Sequence, residues 1–255
     1  MPPLYDYGGM FPYDAALLAA IPSPRTIDEV LPGMQAMDAL FSDGDGLRWF
    51  HRLYLEVTQA VAARTSSGGF ANIAWLAALD VQFANLYFEA LRAYLSGGRA
   101  SGCWSAMFDR RTDAAVARIQ FALAGMNAHI NHDLPLALVA TCRQTGVVPR
   151  HGSPEYADYT SVNSTLNTLI DRAKQELMVR LLGDPLPSVS HLEDRLAAWG
   201  LASAREAAWT NAEVLWGMGA VPPLATRFED TLDGFAALTG KTLMVPVPLA
   251  AAQAI

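Results

Sequence analysis

Gly125-Met126-Asn127-Ala128-His129-Ile130-Asn131-His132-Asp133-Leu134-Pro135 sets two histidines, two asparagines and an aspartate into an apolar surround, Ile119 to Ala124 before it and Leu134 to Ala140 after it. A segment apolar on all sides reads as a helix buried inside a helical protein. Buried imidazole, amide and carboxylate groups cost free energy unless they are paired, so this cluster requires partners or a cavity. On a helical wheel His129, His132 and Asp133 fall within about 100° of one another, because i+3 and i+4 neighbours share a face. Phe121 and Gly125 lie on that side, while Gln120, Ala124, Asn127 and Asn131 make a second track. The small Gly125 and Ala124 read as the wall of a pocket. Pro135 lacks the amide that would bond the Asn131 carbonyl, which predicts a kink or break with Asp133 capping the continuation. Asp133 as nothing more than that cap, and the asparagines as partners of kink backbone, are the alternative readings.

The composition agrees with a compact helical protein. The 255 residues are 52% hydrophobic and only 17% charged, below the usual quarter. A net charge of −7 argues against nucleic acid or an anionic membrane as partner, since both need basic stripes. Cys103 and Cys142 are the two cysteines, and both read as reduced and buried. The N-terminus shows no basic region followed by an apolar run, and no stretch approaches the ~20 apolar residues of a spanning helix. A cytoplasmic protein is expected.

Helical periodicity dominates the chain, and convincing period-2 alternation is absent outside the tail. Residues 1–45, rich in Pro, Gly and Tyr, predict an extended wrapping arm with a short helix near Asp14 to Ala20 and a second opened by Thr26-Ile27-Asp28-Glu29. Long helical patterns follow at Leu47 to Arg64, Ile73 to Leu95 (capped by Asn72), Asp113 to Cys142 and Glu155 to Leu182. Ser190-His191-Leu192-Glu193 and Ser203-Ala204-Arg205-Glu206 resemble capping boxes opening two more, and a last helix spans Leu224 to Leu238. The prediction is an all-α fold, a single-domain irregular antiparallel bundle with its core over 46–241 and an extended tail over 242–255.

Other polar residues point at the same interior. Asp80 shares a face with Leu76, Phe83, Ala84, Tyr87 and Leu91, where desolvation would raise its pKa unless a cation pairs with it. His51 falls on the side of Leu47, Leu55 and Thr58, either a third imidazole of the site or a satisfied core histidine. Glu206, Trp209, Glu213 and Trp216 line one face, and Tyr159, Asn163 and Asn167 track together.

At these motifs the chain resembles the domain of unknown function 5995 family, helical proteins of bacteria and fungi. The matching words are Asp45-Gly46-Leu47 through Tyr54-Leu55-Glu56-Val57-Thr58, Leu79-Asp80-Val81-Gln82-Phe83-Ala84-Asn85, and Gly125 through Leu134. Ala204-Arg205-Glu206 to Trp209 and Ala212-Glu213-Val214-Leu215-Trp216 look similar too, so the likeness spans about residues 45 to 217. The resemblance implies a helical fold and tilts the substrate class toward polyketide-like molecules.

Three functions fit these residues. The first is an enzyme without redox cofactor doing acid–base chemistry on an apolar, oxygenated small molecule: cyclisation, dehydration or isomerisation, including hemiketal or spiroketal closure. His129 or His132 would move the proton, with Asp80 or Asp133 holding the ring. Asn127, Asn131 and Asn163 would bind substrate oxygens, Phe121, Tyr87, Trp209 and Trp216 would wall off water, and Glu213 and His51 would complete the binding surface. The second is metal-assisted hydrolysis with a divalent ion on His129, His132, Asp80 and Glu213. The third is a non-catalytic small-molecule binding protein. No serine elbow or phosphate loop is present, and the apolar composition is compatible with a homodimer.

Overall fold

The structure is a computed structural model describing residues 11–169, 171–172 and 200–246. The described residues are helical, without strands. Helices α1 (Asp14–Ala20) and α2 (Ile27–Asp38) lead into α3 (Leu47–Ser66) and α4 (Ile73–Leu95). Then come α5 (Gly102–Phe108), α6 (Arg118–Ala128), a π-helical turn (His129–Asp133), α7 (Leu134–Thr145) and α8 (Pro154–Ser161). A further helical stretch covers 163–169, and α9 (Leu201–Met218) and α10 (Pro222–Leu243) complete the set.

The stretch quoted above forms the axis. Every residue of α6 from Ile119 to Ala128 is buried, because α3, α5 and α10 cover α6 while α4 and α9 cover α7. Pro135 does not break this rod. The amide of Leu134 bonds the carbonyl of His129, an i→i−5 bond that widens the helix by one residue and absorbs the missing proline donor. Asp133 keeps helical dihedrals (φ −73°, ψ −37°) and makes no cap bond, so the predicted N-cap role does not hold.

From residue 11 onward the described N-terminal residues pack into the core rather than forming a peripheral arm. Leu17, Val30, Met34 and Met37 have no exposed surface, and α2 packs on both α3 and α4. Asp45 accepts from the amide of Leu47 at 3.0 Å, which turns the chain into α3. It also pairs with the buried Arg111, which holds Asp14 as well at 2.9 Å. This triad ties α1 and the turn into α3 to the loop after α5. At the other end, α10 runs to Leu243 and buries Met244, beyond the predicted stop at Leu238. The helix expected over Glu155 to Leu182 is interrupted at Val162, and its end, like the helix predicted from Ser190, lies outside the described residues. Asn72 caps α4 as expected, accepting from the amide of Trp75 at 3.1 Å. Helix α5 had no sequence signal, being too short for periodicity to register.

The small residues of α6 serve packing rather than a pocket. A Cβ on Gly125 would lie 2.3 Å from Cγ of Phe50, and one on Gly46 2.2 Å from the Phe121 ring. Phe50 is itself 1% exposed and cannot swing away. Gly125→Ala is therefore expected to destabilise the protein by about 1–3 kcal/mol through overpacking, measured by urea unfolding. A neutral effect would mean that α3 and α6 do not approach this closely. Both cysteines are buried and free, and no helix of the described residues is long and apolar enough to cross a membrane.

Candidate active site

The π turn delivers three polar side chains to one point. Oδ2 of Asp133 accepts from Nδ1 of His129 at 2.9 Å and from Nε1 of Trp104 at 3.1 Å. Oδ1 accepts from Nδ1 of His132 at 2.7 Å. Burial alone would raise the Asp133 pKa, but the bonds from the two imidazoles outweigh it and hold the carboxyl below its ordinary value. An ionised Asp133 accepts only, so each histidine donates through Nδ1 and keeps its Nε2 lone pair when neutral. The two rings then diverge in behaviour. Burial lowers the His129 pKa against the pull of Asp133, which keeps that ring neutral. His132 is less enclosed, and Asp133, Asp233 and Glu229 together raise its pKa over the effect of burial.

His129 is clamped by aromatic rings. Phe83 stacks on it with centroids 3.5 Å apart and planes 7° apart, and Tyr54 meets its edge at 4.5 Å. Its Nε2 is buried and has no hydrogen-bond partner among the described residues. Such an orphaned acceptor costs about 1–3 kcal/mol, a penalty that a bound donor would remove. His129 borders a cavity of about 50 Å³, with Tyr54, Phe83, Ile130, Leu166 and Arg205 in its wall. A second cavity of about 60 Å³ shares Tyr54, Val57, Phe83, Leu166 and Arg205 with the first and is lined by Asp80.

Asp80 has no hydrogen-bond partner among the described residues, and the accessibility it retains is that of a cavity wall. Burial pushes its pKa up to about 7, with the positive charge of Arg205 opposing only in part. Arg205 is fixed by Nε to Asn163 Oδ1 at 2.6 Å, by Nη2 to the Tyr159 carbonyl at 2.8 Å, and by the Tyr159 ring beneath it at 4.0 Å. The interior thus holds a neutral imidazole with a free lone pair, a carboxyl that exchanges its proton near neutrality, and a guanidinium bordering both cavities. That set can take a proton from one position of a small molecule, return one at another, and stabilise negative charge between them.

Of the sequence candidates, His129 and Asp80 line these cavities and Asp133 bonds His129. Arg205 and Tyr54, which line both cavities, are not among those candidates. Arg205 had a signal: it falls on the buried face of α9 with Leu201, Ala208 and Ala212, where an unpaired arginine would be prohibitive.

The remaining candidates lie elsewhere. His51 is a satisfied core histidine, with Nε2 donating to the Met34 carbonyl at 2.9 Å and Nδ1 accepting from Tyr87 at 3.2 Å. Burial lowers its pKa to about 4. Tyr87 is spent on that contact and Phe121 packs over Gly46. Asn127 donates to the Ala236 carbonyl at 2.7 Å and accepts from Asn131 at 3.0 Å, tying the rod to α10. Asn163 positions Arg205. Trp209 is buried against Trp75 and Tyr159, and Glu213 bonds the half-exposed His151 at 2.8 Å. His129, His132, Asp80 and Glu213 do not form a ligand group among the described residues.

Fold and site together define an all-α protein whose central helix sets His129, bonded to Asp133, in the wall of a cavity. Residues 27–246 match the family model described as "Family of unknown function (DUF5995)", and the chain belongs to that family. Comparison with curated proteins and with solved structures finds no match.

Proposed function

We propose that this protein is an acid–base enzyme that works without a redox cofactor on an apolar, oxygenated small molecule, by cyclisation, dehydration or isomerisation. The observation that carries this reading is the orphaned Nε2 of His129 on a ring held by Asp133, beside a cavity system that also contains Asp80 and Arg205. His129 takes the proton, and Asp133 fixes the tautomer and stabilises the imidazolium. Asp80, protonated up to pH about 7, returns a proton, and Arg205 stabilises charge on a substrate oxygen. Tyr54, Phe83 and Leu166 supply the apolar wall shared by both cavities.

Cavity size constrains the substrate. Spaces of about 50 and 60 Å³ hold a few waters each. A polyketide-like substrate, the class to which the family resemblance points, enters only if Phe83 and Leu166 shift and join them. Small cyclic ketones therefore make the first probe. In D₂O the protein is expected to speed deuterium incorporation next to the carbonyl, read by NMR. His129→Gln and Asp80→Asn should each lower that rate by about 10²–10⁴-fold, and the rate should fall above pH about 7 as Asp80 ionises. Unchanged rates in both variants would reject the reading, and saturable ketone binding without exchange would favour a binding protein.

A further inference from the structure

Asp133 organises a second place, on the side of His132. Nδ1 of His132 is committed to Asp133, which leaves Nε2 for another partner. One donor atom each from Cys103, His132 and Asp233 lie within 4.8 Å of one another. The three come from α5, the π turn and α10, so only the tertiary fold brings them together. We infer that Cys103, His132 and Asp233 form a zinc-binding site with Asp133 as the carboxylate that orients its histidine. The site goes beyond the proposed acid–base function and does not rest on it.

The donor set fits this ion. A thiolate, an imidazole and a carboxylate are zinc ligands, and three protein ligands leave a fourth tetrahedral position for water. Zinc bonds of about 2.0–2.3 Å put donor atoms roughly 3.3–3.8 Å apart. Closing the cluster onto an ion therefore takes a contraction of at most about 1.5 Å, within the reach of small side-chain rotations.

The surroundings are those of a supported ligand set. A metal-bound histidine generally donates its other ring N–H to a carboxylate, the relation of His132 to Asp133. Asp233 is held by the amides of Gly102 at 2.9 Å and Cys103 at 2.8 Å, one to each oxygen, and each oxygen keeps a lone pair for an ion. Residue 102 leaves room for this, since a Cβ there would lie 2.8 Å from Oδ2 of Asp233. Capping of α5 by Asp233 explains those two amide bonds. It accounts for the Cys103 thiol beside them as well, but not for an imidazole oriented by a carboxylate beside the same oxygens.

The test uses the full chain, stripped with a chelator and titrated with zinc chloride by calorimetry. One zinc per chain is expected, with affinity falling at least about tenfold in both Cys103→Ser and Asp233→Asn. Cobalt(II) added to the wild-type chain is expected to give tetrahedral visible bands and a thiolate-to-cobalt charge-transfer band. This readout stands even if a variant fails to fold, which circular dichroism will show. No zinc uptake, uptake undiminished in both folded variants, or a cobalt spectrum without the sulfur band would each overturn the site. None of these readouts depends on turnover, so the zinc site and the acid–base reading stand or fall separately.

Discussion

Replacing Asp80 by asparagine is expected to raise stability at pH 8 while removing the proposed proton transfer. The folded-state pKa of Asp80 is about 7, against an ordinary value of 3.8. Below pH about 4 the carboxyl is protonated in both states and carries no penalty. Between those values the unfolded chain releases the proton and the folded protein keeps it, so the contribution of this group falls as pH rises. Above pH about 7 the full cost of a desolvated carboxylate is present. The shift corresponds to a ceiling of about 4 kcal/mol; because Asp80 faces a cavity that admits water, about 1–3 kcal/mol is expected at pH 8. At 2–4 °C per kcal/mol for a chain of this size, Asp80→Asn should melt several degrees higher at pH 8 and near the wild type at pH 4. Calorimetry at the two pH values checks this. An equal shift at both would show that the carboxyl titrates normally and would remove the reason for calling it a proton donor. A group whose removal stabilises the fold but stops turnover is retained for chemistry.

Arg111→Met is expected to act in the opposite direction and with the largest stability loss. Arg111, Asp14 and Asp45 are each at most 3% exposed, and the guanidinium is the cation that pairs with both carboxylates. Removing it strands two buried negative charges, which costs about 3–5 kcal/mol and should lower the melting temperature by about 10 °C. Adding Asp14→Asn and Asp45→Asn to Arg111→Met should restore much of the loss, because the uncompensated charge is the source of the penalty. A single-variant loss below about 1 kcal/mol would mean that water reaches the triad.

The central helix shows how far sequence reading goes. Polar residues in an apolar run announced burial of the rod and convergence near His129, and both follow from period and composition. Pro135 announced a disturbance, but not its kind. A break, a kink and a π turn all accommodate the lost amide, and neighbouring helices decide among them. The Asp45-Gly46-Leu47 motif carries part of the family resemblance, and its meaning is structural: a helix start, a contact for Phe121 and a partner for Arg111. Asn127 and His51 illustrate the same limit. Each sits on an inward face, and only the position of a backbone carbonyl on another helix, Ala236 or Met34, shows that it is already satisfied.

Sequence alone determined the helical class, the membership of one buried segment in the core, and the residues with ionisable groups in apolar company, because these depend on local period and on side-chain chemistry. Tertiary structure decided everything that depends on distance. It set His129 in a cavity wall and left its Nε2 without a partner among the described residues. It brought Arg205 to the walls shared with Asp80, and it set Cys103 and Asp233 beside His132. Residues about a hundred positions apart carry no mark in the chain of their eventual contact, since that contact arises only when separate apolar faces pack together.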